Sequence, residues 1–210
     1  MDHEAWESEA FVQYEDEDSA IPLITSQDIS VLCPDERQQM FLAAAQSGDL
    51  NLLQAIHRLC GDSVLNVRDG DEYTALHKAA YNGHMQLVEY LLGAGANVEA
   101  RTVDGWQPLH CACRWNKTPV ASLLLQSGAD VNAQTNGGLT PLHLAASLVD
   151  AGPTIQLLLF QRNLDATLKN AQGETAEVLS RRCGNSGYLF EMVEECIDYR
   201  TLYKKDGVFR

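Results

Sequence analysis

The chain has 210 residues, 45% of them hydrophobic, and carries 29 acidic against 15 basic side chains. This length supports one sizeable core or a short repeat array, and a net charge of −14 disfavours direct nucleic-acid binding, which needs a basic face. The opening residues, MDHEAWESEAF, lack the basic start and apolar run of a secretory signal, and no apolar run is long enough to span a bilayer. Neither secretion nor membrane insertion is therefore expected.

The N-terminal segment, residues 1–34, predicts a disordered acidic tail. Residues 1–36 contain eleven Asp or Glu and no Lys or Arg, whereas residues 37–210 contain 18 acidic against 15 basic side chains. Aromatic residues, namely Trp6, Phe11 and Tyr14, are interleaved with these acids. This alternation is typical of disordered segments that fold on a protein partner. A purely solubilising tail, or one that folds back on Arg114, fits the same composition.

Residues 35–200 show an internal period of 33 residues. The motifs TALH at 74–77, QPLH at 107–110 and TPLH at 140–143 start 33 residues apart, and small-residue pairs and leucine-rich runs recur in the same phase. This pattern predicts two helices in each unit. A Thr hydroxyl should cap the first helix, and Pro should occupy its first position, as at Pro108 and Pro141. Gly83 and Gly95 supply the left-handed backbone that ends a helix. The period predicts a solenoid of stacked helical units.

The units at the two ends depart from this pattern. Residues 41–59 predict a helical pair without the TPLH motif, and residues 172–197 predict a degenerate capping unit with exposed glutamates, so that about five units are expected. The connection SLVDAGPT is one residue longer than its counterparts, and Pro153 is expected to restart the helix there. Residues 201–210 would form a short C-terminal tail.

The T-P-L-H-x-A-A motif at this period resembles that of the ankyrin-repeat family. The resemblance implies an all-α ankyrin-repeat solenoid of about five helix–turn–helix repeats joined by β-turn tips, which holds protein partners on its concave face. A closer likeness to one group within the family is carried by DEYTALHKAAYNGH, VDGWQPLHCACRWN and YLFEMVEEC. That likeness implies a nuclear protein that promotes gene expression.

Histidines and cysteines in the repeats raise the question of a metal or catalytic site. His77, His110 and His143 occupy equivalent positions, and adjacent repeats lie about 10 Å apart, too far to share a metal ion. We expect each imidazole to be buried and to hydrogen-bond the next turn. Cys113 falls on a small-residue position and should be buried, whereas Cys111 aligns with Lys78 and should be a more exposed thiol. With no catalytic motif elsewhere, we expect no enzyme activity, metal or cofactor.

Candidate partner-binding residues occupy positions that normally face solvent on the concave side: the turn tips, the residue before each T-P-L-H motif, and the ends of the first helices. They are Asp71, Tyr73, Tyr81, Asn82, Val103, Asp104, Trp106, Arg114, Trp115, Leu139 and Leu148. Tyr, Trp and Arg are enriched in interface hot spots. Trp115 aligns with the polar Asn82 and should be exposed unless the loop near Leu148 covers it; Trp106 could instead simply shield its own turn.

These patterns predict a monomeric, non-enzymatic interaction protein, a nuclear adaptor or regulator that promotes gene expression through a protein partner. A stoichiometric inhibitor that blocks a partner enzyme with the concave face is the alternative. The six cysteines follow no dense disulfide framework, which favours a reduced compartment, the nucleus or the cytoplasm.

Overall fold

The computed structural model describes residue 29, residues 31–183 and residues 187–192. Residues 1–28 and 30 of the predicted tail at 1–34, with Trp6, Phe11 and Tyr14, and the predicted tail at 201–210 lie outside the described residues. Ile29, near the end of the predicted N-terminal tail, is fully buried, and its carbonyl accepts a hydrogen bond from Arg37 Nε at 3.2 Å. Packing against the first repeat therefore includes this residue.

The described residues form a solenoid in which nine helices have assigned bounds and residues 187–192 add a further helical segment. The nine helices are α1 (Pro34–Ser47), α2 (Leu50–Cys60), α3 (Ala75–Asn82), α4 (Met85–Gly93), α5 (Pro108–Arg114), α6 (Thr118–Gln126), α7 (Pro141–Ala146), α8 (Gly152–Leu159) and α9 (Ala176–Cys183). A 3₁₀ turn, Gly61–Val64, follows α2. The odd-numbered first helices pack in one row and α4, α6 and α8 pack in a second row. Residues 187–192, which are also helical, complete a fifth unit with α9, as predicted.

The repeat motif fixes where each first helix begins. Thr74, Gln107 and Thr140 are the N-cap residues of α3, α5 and α7, and Pro108 and Pro141 stand at the first helical position. The Thr140 hydroxyl accepts a hydrogen bond from the His143 N–H at 3.3 Å, as predicted for a capping Thr, whereas Thr74 and Gln107 make no such side-chain bond. Pro153 occupies the second position of α8, which confirms that it restarts the helix after the longer connection.

The three motif histidines join one repeat to the next, as predicted. His77 Nε2 donates to the Trp106 carbonyl at 3.0 Å, and His143 Nε2 donates to the Glu174 carbonyl at 3.1 Å. His110 Nε2 lies 3.1 Å from the Leu139 carbonyl, and all three imidazoles are buried. Because each Nδ1 accepts a hydrogen bond from its own N-cap N–H, both ring nitrogens are engaged. These side chains are structural, which leaves no free imidazole in this row.

The turn tips form a ladder along one edge of the solenoid. Val103 N donates to the Asp71 carbonyl at 3.2 Å, and Asn136 N donates to the Asp104 carbonyl at 2.9 Å. Arginine and glutamine side chains cross the same gaps, with Arg101 Nη2 at 2.8 Å from the Gln134 carbonyl. The pairing stays limited to isolated bridges, and no strand forms among the described residues. The tips are therefore held in register by hydrogen bonds between consecutive repeats.

Replacing Gly83 by valine should lower the free energy of unfolding by about 1–3 kcal/mol. Gly83 ends α3 with φ +86°, where a β-branched side chain is strained, and an added Cβ would lie 2.8 Å from the flexible Lys117 side chain. Gly93→Ala is the matched control, since Gly93 is helical and has no neighbour within 4 Å, so alanine there should stabilise slightly. Urea denaturation of both variants checks the opposite signs; equal midpoints would contradict the assigned register.

Candidate protein-binding face

The predicted site residues spread along the turn tips and first helices of three consecutive repeats. Asp71, Val103 and Asp104 are exposed at the tips, and Trp115 is 40% exposed at the end of α5. The others are half-buried: Tyr73, Tyr81, Asn82, Trp106, Arg114, Leu139 and Leu148. The fold thus leaves part of every predicted side chain open to solvent.

Three of these residues form a cluster, which we call the indole cluster: Tyr81, Arg114 and Trp115. The Tyr81 and Trp115 rings meet edge to face with centroids 4.7 Å apart. The Arg114 guanidinium carbon lies 5.5 Å from the Trp115 ring centroid, within range of a cation–π contact. Burial raises the pKa of Tyr81, so its hydroxyl stays neutral at physiological pH. The cluster therefore presents an apolar ring, a phenol and a fixed positive charge side by side.

A local backbone device places Trp115 at the edge of this cluster. Trp115 is the C-cap residue of α5, and Asn116 follows it with φ +52°, the left-handed conformation that Gly83 adopts in the preceding repeat. Asn116 tolerates this conformation better than most residues. Its side chain is also anchored, since Nδ2 donates to the Asp150 carbonyl at 3.1 Å. The indole accordingly projects from a turn that is held by the next repeat.

A second group of side chains lies nearer the tips. Tyr73 meets His77 edge to face at 5.6 Å between ring centroids, and Lys78 Nζ lies 6.0 Å from the Tyr73 ring. Lys78 also pairs with Asp69, Nζ to Oδ2, at 2.8 Å. Sequence reasoning did not select Lys78 or Asp69. The alignment could have identified Lys78, because it occupies in its repeat the position that Cys111 occupies in the next one, on the same row of first helices.

Cys111 corrects one expectation. Its alignment with Lys78 predicted an exposed thiol, but the side chain is 1% exposed. Tyr73 and Tyr81 of the preceding repeat lie close enough to Cys111 to interact electrostatically, and burial raises the pKa of its thiol to about 12. Cys113 is fully buried, as predicted. Neither sulfur is therefore a nucleophile at physiological pH.

The remaining candidates also have roles within the fold. The Asn82 amide donates to the Lys78 carbonyl at 3.0 Å, and the Trp106 and Leu139 carbonyls accept from the histidines of the preceding repeat. The Trp106 ring contacts His110 at 6.3 Å between ring centroids. The alternative in which Trp106 shields its own turn thus remains open, since only part of the ring faces solvent.

Throughout the described ranges, no three His, Cys, Asp or Glu side chains come together as a metal site would require. Nor does this part of the chain contain a helix both long and apolar enough to cross a bilayer. Tyr81, Arg114 and Trp115 of the indole cluster are not among the usual metal ligands.

Two family models match the chain. Ankyrin repeats (3 copies) matches residues 40–135 and Ankyrin repeats (many copies) matches residues 124–176. The chain is 57% identical over 152 residues to ankyrin repeat domain-containing protein 49 of Bos taurus, covering 71% of this chain and 64% of the relative. It is 46% identical over 164 residues to the protein of the same name in Drosophila melanogaster, covering 78% and 76%.

The human protein of that name is 56% identical to the chain over 152 residues, which span 64% of the human sequence. The matched region thus spans a little under two thirds of the bovine and human relatives. Ankyrin repeats are protein–protein interaction modules, and the two matched regions together contain the indole cluster and the row of motif histidines. On the repeat motif, the helical pairs and these matches together, the chain belongs to the ankyrin-repeat family.

Proposed function

We propose that this protein is a non-enzymatic regulator that binds a protein partner on its concave face and promotes gene expression in the nucleus. The single observation that carries the binding site is the indole cluster, in which Trp115 remains 40% exposed beside Arg114. Exposed aromatic rings beside arginine are the side chains most often found at interface hot spots. The polar and acidic turn tips, including Asp71 and Asp104, would form the rim.

The absence of catalysis is part of this proposal. It is supported by the motif histidines, which are buried and bonded at both ring nitrogens, and by the raised pKa of the Cys111 thiol. The balance of 18 acidic against 15 basic residues in 37–210 argues against direct contact with nucleic acid, so a protein would connect the chain to transcription. We propose that the chain acts as a monomer.

Trp115→Ala should remove partners that the native chain captures, with an affinity loss of about tenfold to a hundredfold, typical of a hot-spot tryptophan. Phe160→Ala is the matched control, because Phe160 is 68% exposed but lies at the end of the second helix α8. Quantitative mass spectrometry of native, Trp115→Ala and Phe160→Ala captures from nuclear and cytoplasmic extracts gives the comparison. Identical partner sets for native and Trp115→Ala proteins would rule out the indole cluster as the binding site.

A reporter assay separates activation from inhibition. Deleting residues 1–28 should abolish reporter activation if the acidic segment recruits other factors, whereas blocking a partner enzyme should survive the deletion. Residues 29–34 are retained because Ile29 is buried and Cys33 caps α1. Activation by the shortened chain, with the partner still bound, would favour the stoichiometric inhibitor over the recruiting regulator.

A further inference from the structure

The indole cluster has a charge that its own repeats do not neutralise. Arg114 forms no ion pair with another described residue, whereas Arg68, Lys78 and Arg182 each pair with a carboxylate. Its guanidinium lies 5.5 Å from the centroid of the Trp115 ring. A ligand that carries an aromatic ring next to carboxylates would neutralise the guanidinium and add an aromatic contact beside the partly exposed indole.

A segment with that chemistry is present in the chain itself. Tyr14 is followed directly by four acids, Glu15 to Asp18, in the stretch YEDED, and no Lys or Arg occurs before Arg37. The clustering matters because a guanidinium at a partly exposed site gains little from one distant carboxylate. Four consecutive carboxylates beside a phenol supply both the aromatic contact and the local charge.

The chain between Tyr14 and Ile29 has about the length needed to reach Trp115. About 15 residues separate Tyr14 from Ile29, which is buried against the first repeat. A flexible tether of that length has a mean end-to-end distance of roughly 20–25 Å. Trp115 belongs to the third repeat, and two repeat spacings correspond to about 20 Å. The two lengths are of the same order, so tethering would raise the effective concentration of the segment at the cluster.

We propose that residues 14–18 occupy the indole cluster of the same chain and thereby compete with a protein partner for it. The inference rests on the proposed function, because it concerns access to the same site. A partner would have to displace the acidic segment, so the segment sets a threshold for binding. A weak contact is sufficient, since the tethered segment never leaves the neighbourhood of the site.

The full-length chain labelled with 5-fluorotryptophan provides the test. Its three tryptophans, Trp6, Trp106 and Trp115, give ¹⁹F signals that single Trp→Phe variants assign. Combining Tyr14→Ser with Glu15→Gln, Asp16→Asn, Glu17→Gln and Asp18→Asn should move the Trp115 signal. The control removes four acids elsewhere, by Asp2→Asn, Glu4→Gln, Glu7→Gln and Glu9→Gln, and should leave that signal in place. Raising the salt to 0.5 M in the native chain should reproduce the first shift.

A peptide of residues 9–20, labelled for fluorescence polarisation, gives the second measurement. It should bind the full-length variant altered at 14–18 at least tenfold more tightly than the native chain, whose own segment competes, and Arg114→Glu should abolish that binding. An unmoved Trp115 signal together with equal peptide affinities would overturn the proposal. Neither experiment needs an external partner, so failure to find a partner at Trp115 is distinguishable from failure of the intramolecular contact.

Discussion

Replacing Gly105 by alanine is expected to lower the free energy of unfolding by about 2–4 kcal/mol. Gly105 has φ +79°, and an added Cβ would lie 2.6 Å from Arg101 Nη2 and 3.0 Å from the Asn136 backbone nitrogen. That nitrogen donates the tip-to-tip hydrogen bond to the Asp104 carbonyl, so the new methyl group would both strain its own residue and push the next repeat away. The substitution therefore weakens one repeat and its junction together.

Gly173→Ala separates these two effects. Gly173 occupies the equivalent position of the last turn with φ +77°, but no atom lies within 4 Å of an added Cβ. Alanine there should cost only the left-handed strain, about 1–2 kcal/mol. Glu72, at the same position of an earlier turn with φ +65°, shows that the backbone accepts a side chain where space allows. Urea denaturation should rank native above Gly173→Ala above Gly105→Ala; equal losses in the two variants would remove the packing argument.

The architecture could be predicted because the same helix-starting, helix-ending and core residues recur at equivalent positions in successive repeats. Pro108 and Pro141 mark helix starts, and Gly83 marks a helix end. The positions of His77 and His110 repeat too far apart to share a metal ion, so burial within the repeats was the expected role of both. Position within a unit determined these roles. Asn116, which aligns with Gly83, adopts the same left-handed backbone.

What could not be predicted depends on contacts between units. Alignment with Lys78 placed Cys111 in the correct row but not in the correct environment, because Cys111 belongs to the buried hydrophobic cluster against which Tyr73 and Tyr81 of the preceding repeat pack. The edge-to-face pair of Tyr81 and Trp115 was missed for the same reason, although both residues had been selected singly. The sequence period predicts which side chains occupy equivalent positions, whereas the distance between two rings in neighbouring repeats depends on the three-dimensional packing.

The buried histidines should make the protein markedly less stable as the pH falls from 6.5 to 4. Burial lowers the pKa of His77 to about 4 and that of His110 to about 4, from an ordinary value of 6.5, and it also lowers the pKa of His143. Between these values the imidazoles stay neutral in the folded chain and bind protons in the unfolded chain. Because the unfolded state then holds more protons, the free energy of unfolding decreases with falling pH.

The size of this effect sets it apart from ordinary surface titration. Near pH 5, His77 and His110 together should take up about two protons on unfolding, which corresponds to a slope of roughly 2.5 kcal/mol per pH unit. Urea denaturation at pH 7.5, 6.5, 5.5 and 4.5 gives that slope. The His110→Gln variant should be less stable at pH 7.5, and its unfolding should take up about one proton fewer near pH 5, which makes the slope smaller. A native stability that is flat from pH 7.5 to 5 would mean that the imidazoles are not buried as neutral tethers. The same measurement therefore tests the contacts that hold the indole cluster on its scaffold, since His77 bonds to the turn before α5, and His110, within α5, bonds to the turn before α7.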